Sequence, residues 1–288
     1  MKKLVCASLA LLAAGLAPSA ALAACASLTT LPTTISAPGQ YCLAKDYSVN
    51  MATGNLITIA SNGVTLDCAG HALRNSASSA NASSNAITLN SRNDIVIKNC
   101  RIVGGFNTGI NVTQNNSTGN KNYYVTIDNN YIAGPTLQGI RAYGSAIEIT
   151  NNRIYDIGGQ LNENAYGIRL GGTTTSNYFK FHVVRDNLVA GTNSPYLSAY
   201  GIFSEGSWAG IFTGNTISGT SAGNPEYGAY GFRLAGGMNR VTNNHVVSGG
   251  DPDNDFGIYT LDTESSCYDN YIRAMTSVAN CNATLGNY

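Results

Sequence analysis

From residue 26 onward, apolar and polar residues alternate along most of the chain. In VTIDNNYI (125–132) and IEITNNRI (147–154), Val125 and Ile127, or Ile147 and Ile149, fall two apart. That period points successive side chains to opposite faces of a strand, and no stretch after residue 25 offers the 3.6-residue period of a helix. The phrase returns as FHVVRDNL (181–188), GIFTGNTI (210–217), NRVTNNHV (239–246) and SSCYDNYI (265–272). Aligned, the copies set Asn130, Asn152, Asp186, Asn215, Asn244 and Asn270 in one column. A second phrase, AYGIRL at 165–170, recurs as AYGIFS at 199–204 and AYGFRL at 229–234. Its Gly-Ile or Gly-Phe core lies at 109–110, 139–140, 167–168, 201–202, 231–232 and 257–258, so copies are 26 to 34 residues apart. Self-similarity at such a period marks a repeat protein.

Short strands, one set per repeat, with an Asn column at a corner, predict a parallel β-helix. Each coil stacks on the last at about 4.8 Å, and inward Ile, Val, Leu and Phe fill a core that no single coil buries alone. Asn suits a corner because its amide bonds backbone groups and it tolerates positive φ. Gly before the inward Ile is expected to relax another bend. The segments NNSTGNKN (115–122), GGQLNEN (158–164), GTNSPYLS (191–198), SAGNPE (221–226) and GGDPDN (249–254) must leave the coil as loops. Four of the five precede a Gly-Ile or Gly-Phe phrase and are expected to crowd one face, where binding surfaces are usually built. The expected divisions are a signal peptide at 1–24, an N-terminal cap and entry strand at 25–56, coils at 57–272, and a C-terminal cap and tail at 273–288.

The leader reading rests on MKK, an apolar run from Leu4 to Ala17 and the small-residue pattern Ala21-Leu22-Ala23. Cleavage there takes Lys2 and Lys3 from the 16 basic residues and leaves all 16 acidic ones, a formal charge of minus two. The expected destination is secreted or periplasmic, with no transmembrane segment, because later apolar residues alternate instead of running unbroken. With 11% charged residues the chain has no electrostatic grip on a polyanion, which excludes nucleic acid as a partner. Six of the seven cysteines follow the leader: Cys25, Cys42, Cys68, Cys100, Cys267 and Cys281. An even number in an exported chain favours disulfides, with fifteen pairings open to sequence alone. Cys68 and Cys100 fall at corresponding bends of adjacent coils, within disulfide reach; Cys25 with Cys42 and Cys267 with Cys281 then staple the two caps. Leu22-Ala23-Ala24-Cys25 also reads as a lipoprotein box, which would make Cys25 a lipid anchor at the outer surface.

Three stretches carry a family resemblance: PTTISAPGQYCLAKD (32–46), ITIASNGVTLDCAGHAL (57–73) and the Gly-Ile and Asn-Asn-x-Ile phrases beyond. Over residues 25–280 the chain resembles secreted right-handed parallel β-helix proteins of the pectin-lyase-like superfamily. The resemblance implies an all-β, single-stranded right-handed parallel β-helix (solenoid) with disulfide-stapled terminal caps. That superfamily includes pectate lyases, polygalacturonases, alginate epimerases and lyases, and many proteins with no known reaction, so the resemblance implies the fold and leaves the activity open. An acidic polysaccharide as partner is expected from the Arg and aromatic columns of the Gly-Ile phrases. The paired-Asp, His-Gly and Arg-Ile-Lys pattern of polygalacturonases is absent. So is the DPHE motif of the epimerases, because Asp251-Pro252 is followed by Asp253-Asn254.

If Ile168 and Leu170 face inward, Arg169 between them faces solvent. Its column is Asn111, Arg141, Arg169, Phe203, Arg233 and Tyr259. Upstream on the same strands stand Thr108, Gln138, Tyr166, Tyr200, Tyr230 and Phe256; downstream, Tyr143, Glu205 and Leu261. Guanidinium forks hold carboxylates and aromatic rings cover the apolar face of a sugar. Arg141, Tyr143, Tyr166, Tyr230 and Tyr259 are therefore the expected substrate contacts, with Arg169, Tyr200, Glu205 and Arg233 as candidate catalytic groups. For β-elimination, Arg169 or Arg233 would neutralise a uronate. Tyr166, Tyr200 or Tyr230 would move protons if a neighbouring Arg lowered its pKa. Hydrolysis needs two carboxylates, and Glu205 has only Asp262 or Glu163 to join it. The alternatives are a covered sheet face of mutually stacked Tyr and Arg, and a non-catalytic adhesin-like recognition module. Asp251, Asp253 and Asp255 are candidate Ca²⁺ ligands, or else a solvated acidic turn. His71, His182 and His245 lack metal-ligand spacing, which excludes zinc.

Overall fold

Each strand finds its partner one coil away, always parallel. A computed structural model describes residues 25–77, 83–114, 123–171, 179–247, 254–274 and 276–282. The leader, the 115–122 insert and most of the 249–254 insert lie outside the described residues. Three ten-stranded sheets run the length of the solenoid. A typical coil passes through Val64–Asp67 in the first sheet, Ala72–Asn75 in the second and Ser83–Asn90 in the third, then re-enters the first at Asn93–Lys98. Ile102, Ile132 and Ile154 stack in register in the second sheet, and Ile110, Ile140 and Ile168 do so in the third, all fully buried. This is the all-parallel β-solenoid expected of the alternation.

The three predicted disulfides are present: Cys25–Cys42, Cys68–Cys100 and Cys267–Cys281, with Cα separations of 5.7, 4.6 and 5.8 Å. The Cys25 sulfur that a lipid anchor would need is thus bonded to Cys42.

The Asn column is a hydrogen-bonded ladder, with one correction: its third rung is Asn187, not Asp186. The backbone N–H of Asn130 donates to Asn152 Oδ1, and the relay continues through Asn187, Asn215, Asn244 and Asn270 at 2.8–3.1 Å. Each Nδ2 also binds carbonyls; that of Asn187 reaches Ile149 O at 2.9 Å and Arg185 O at 3.0 Å. The neighbouring position takes the other task. Asn129, Asn151, Asp186, Asn243 and Asp269 have φ between 51° and 57°. The Asn-Asn doublet therefore divides two jobs: the first residue turns the chain and the second closes its hydrogen bonds. The slip arises because HVVRDNLV, starting one residue later, matches the other copies.

The glycines of the Gly-Ile phrases serve close packing, not a bend. None from Gly109 to Gly231 has positive φ. A Cβ on Gly139 would lie 2.6 Å from both Gly167 O and Ile154 Cγ2.

Candidate functional site

The columns proposed as outward lie on the third sheet in the predicted register. Asn111 pairs with Arg141, Arg141 with Arg169, Arg169 with Phe203, Phe203 with Arg233 and Arg233 with Tyr259. Tyr166, Tyr200, Tyr230 and Phe256 line up beside them. Because parallel pairing repeats at one strand spacing, these rings stack. Tyr200 lies 5.1 Å from Tyr166 and 5.2 Å from Tyr230, centroid to centroid with the ring planes nearly parallel, and Tyr230 is 5.1 Å from Phe256.

The strip is more covered than the alternation predicts. Tyr166 and Tyr200 are only 5% and 4% exposed, and with Phe203 they form a small apolar cluster on the outside of the sheet. Tyr143, Thr108 and Gln138 are buried too. The inserts build the wall. Asn164 Nδ2 donates to the Tyr166 hydroxyl at 3.2 Å, Ser198 N–H to Asn164 Oδ1 at 2.9 Å, and Ser194 Oγ to Glu163 O at 2.8 Å. Loops 158–164 and 191–198 thus close beside the Tyr column, as expected of inserts that precede these strands. The sequence places Phe203 in the outward column but gives it no role, and it places Asn164 only within the 158–164 insert.

Arg169 and Arg233 each lie among three rings, and Arg141 lies against one. Arg141 sits 4.3 Å from the Tyr143 centroid, and Arg169 4.7 Å from Tyr166. Arg233 lies 5.6–5.7 Å from Tyr200, Phe203 and Tyr230 and donates to the Tyr200 hydroxyl at 3.1 Å. Arg169 Nη2 also meets Glu205 Oε1 at 3.1 Å. Among the described residues no carboxylate reaches Arg141 or Arg233 within salt-bridge distance. Tyr259 packs edge-on against Tyr230 at 5.9 Å. Arg141, Arg169, Arg233, Glu205, Tyr230 and Tyr259 remain partly open to solvent, as do Asn111 and Phe256, and Leu261 is exposed.

Electrostatics corrects one expectation. Burial pushes the Tyr166 phenol above its usual pKa, outweighing the pull of Arg169, and burial with the neighbouring Tyr200 does the same to Tyr230 despite Arg233. Neither ring is the activated proton carrier that an adjacent Arg was expected to make. Burial works against the charge on Arg169, yet Tyr166, Tyr143 and Glu205 more than compensate and raise its pKa. A permanently charged Arg169 already paired with Glu205 leaves that carboxylate engaged. Of the two carboxylates considered beside it for hydrolysis, Glu163 is exposed, and Asp262 accepts from Glu264 N–H and from Ser265 N–H, both at 2.9 Å, and so caps a turn.

Of the candidate Ca²⁺ ligands, Asp251 and Asp253 lie outside the described residues, and Asp255 is buried at the start of strand Asp255–Thr260. Among the described residues no group of three or more His, Cys, Asp or Glu side chains is placed to hold a metal. A shallow hollow of about 460 Å³ lies along the Asn bend, lined by Asp128, Asn129, Asn151 and Arg153 among others. It contains none of the predicted site residues, and the bend's own bonds, such as Asn151 Nδ2 to Asp128 Oδ1 at 2.9 Å, account for its polar lining.

No described helix is long and apolar enough to cross a membrane. No family model matches the chain, and no curated protein matches it. Among solved structures the chain is similar to the Streptococcus pneumoniae surface protein and adhesin PfbA, with 14% identity over 88% of this chain and 79% of that one and a TM-score of 0.46. It is also similar to the Dettilon tailspike protein, with 13% identity over 84% of this chain and 62% of that one and a TM-score of 0.35.

Proposed function

We propose that the protein is an exported, non-catalytic recognition module that binds an acidic polysaccharide along its third sheet. The observation that carries this reading is the line of Arg141, Arg169 and Arg233, each guanidinium resting against at least one aromatic ring before any ligand arrives. Arg141 and Arg169 sit on adjacent coils, about 4.8 Å apart, and Arg233 lies two coils further on. Preorganised cations lose little side-chain entropy when they take a carboxylate. Tyr230 and Tyr259 offer ring surface to the sugar beside them. Binding is favoured over elimination because Glu205 is tied to Arg169 and two of the three candidate phenols are held in their neutral form.

Affinity electrophoresis of the mature protein in polygalacturonate, alginate and glucuronan, against a neutral galactan, tests the reading. Retardation is expected only in acidic gels, to weaken with added salt, and to fall about tenfold in Arg141→Ala/Arg233→Ala. Equal retardation in galactan, or an unaffected double variant, overturns the reading. Release of ultraviolet-absorbing unsaturated ends from the same polymers, abolished in Arg169→Ala, overturns its non-catalytic part.

A further inference from the structure

At the turn that leads into the first sheet, the backbone takes a left-handed conformation in coil after coil. The register sets Asp94, Tyr124, Ala146, Phe181, Ala209 and Met238 at one equivalent position. All six have φ between 52° and 62°. Backbone bonds carry the alignment through the turn: Phe181 N–H donates to Trp208 O and Ala209 N–H to Gly237 O, both at 3.1 Å. At the other bend Asn99, Asn129, Asn151, Asp186, Asn243 and Asp269 meet the same conformation, which Asn and Asp tolerate. Here three coils meet it with Tyr, Phe and Met, for which positive φ is a steric outlier.

Those three are also the most exposed large hydrophobic side chains among the described residues, at 68%, 64% and 58%. All three bulky side chains keep more than half of their surface outside the fold while their backbone is in a strained conformation. Strain of that kind points toward a use outside it.

The order along the ridge is as informative as the exposure. Large residues alternate with Ala146 and Ala209, so Tyr124, Phe181 and Met238 stand two coils apart, about 9.6 Å, in a line along the solenoid. From Tyr124 to Met238 this column holds neither cation nor carboxylate. A protein partner would need a broad contiguous surface, whereas a line one residue wide, interrupted by alanines, fits a single extended chain. A β-1,4-linked polysaccharide turns over at each unit and so repeats every two rings, presenting an apolar ring face with that period. We propose that this ridge is a second glycan site, separate from the Arg-bearing face, which takes an uncharged β-1,4-linked polysaccharide with Tyr124, Phe181 and Met238 as its stacking platforms. The alanines leave room for the intervening sugars.

The chain carries its own reporter. Its single tryptophan, Trp208, pairs with Lys180 one residue before the ridge position, and its ring lies 2.9 Å from where a Cβ on Gly237 would be, beside Met238. Titration of the mature protein with cellohexaose and with maltohexaose, followed by Trp208 fluorescence and calorimetry, tests the proposal. Cellohexaose is expected to bind and shift the emission; maltohexaose, whose α-linked chain curves, is not. Phe181→Ala and Tyr124→Ala are each expected to weaken binding about tenfold or more without lowering the thermal midpoint, because Ala already occupies this turn at 146 and 209. Wild-type protein that binds neither sugar, or variants that bind cellohexaose as wild type does, overturn the proposal. So does self-association on sedimentation that is lost in Phe181→Ala, which would make the ridge a contact between copies. Polygalacturonate binding, measured on the same variants, is expected to be unchanged, so the two sites stand or fall separately.

Discussion

One bend of this solenoid is closed covalently at its N-terminal end and by amides along the rest. Cys68 and Cys100 bridge adjacent coils, and the N–H of Cys100 then donates to Asn130 Oδ1 at 2.9 Å, the same bond each Asn makes to the next. The disulfide therefore occupies the first rung of the ladder. A mid-ladder amide uses both neighbours, since its oxygen accepts from the coil before it and its Nδ2 donates to the coil after it, as at Asn187. Near a solenoid end one neighbour is missing or irregular, and terminal coils open first. A disulfide needs only one partner. That difference explains why a chain with cysteines near both ends has none between Cys100 and Cys267.

The comparison is most severely tested in mid-ladder. Asn187→Ala removes an acceptor for Asn152 N–H and Nδ2 and the donor to Ile149 O, Arg185 O and Asn215 Oδ1. The expected loss is about 4 kcal/mol, read as a lower urea midpoint and as amide exchange spreading in both directions from that coil. A loss confined to one coil would show that rungs act singly.

Cys68→Ser/Cys100→Ser, opening a bridge between residues 32 apart, should cost somewhat less, about 3.5 kcal/mol. Exchange protection should then fall only in the coils before Asn130.

A third test lies in the interior. His182 occupies the place that Ile147 fills one coil earlier, each just before the paired Val183 and Glu148. It is fully buried, and neither ring nitrogen has a hydrogen-bond partner. Burial lowers its pKa to about 4. Below the ordinary value near 6.5 the unfolded chain takes up a proton that the folded chain refuses, so stability falls between pH 6.5 and 4 by about 3 kcal/mol. His182→Ile should flatten that part of the urea-midpoint profile; a profile unchanged by the substitution would assign the acid sensitivity elsewhere.

The smallest effect sharpens the comparison directly. Cys68→Ser/Cys100→Asn, which places a ladder amide at the first rung, should recover about 1 kcal/mol over the double serine variant.

Particular residues show how much was legible beforehand. The stacking order was readable from Gly167-Ile168 and its copies, Cys68–Cys100 from corresponding bends of adjacent coils, and the other two disulfides from the expected terminal caps. The slip at Asp186 came from counting a phrase boundary where the preceding turn had changed length. Asn129 and Asn130 look alike in sequence but do different work, because φ is set by the path of the turn. Arg141, Arg169 and Arg233 were placed correctly on one face. That Tyr166 and Tyr200 would be covered, and that burial would overrule the nearby Arg in setting the Tyr166 pKa, depended on loops whose course no alternation describes.

The alternating pattern and its repeat were enough to determine the parallel solenoid, its inward core and the columns on each sheet, because a period of two fixes faces and a fixed repeat fixes neighbours. Tertiary structure alone decided which columns stay open, which carboxylate pairs with which Arg, and that Tyr124, Phe181 and Met238 share a strained, exposed turn. Those outcomes depend on loop closure and local backbone dihedrals, which arise between coils and leave no period in the chain.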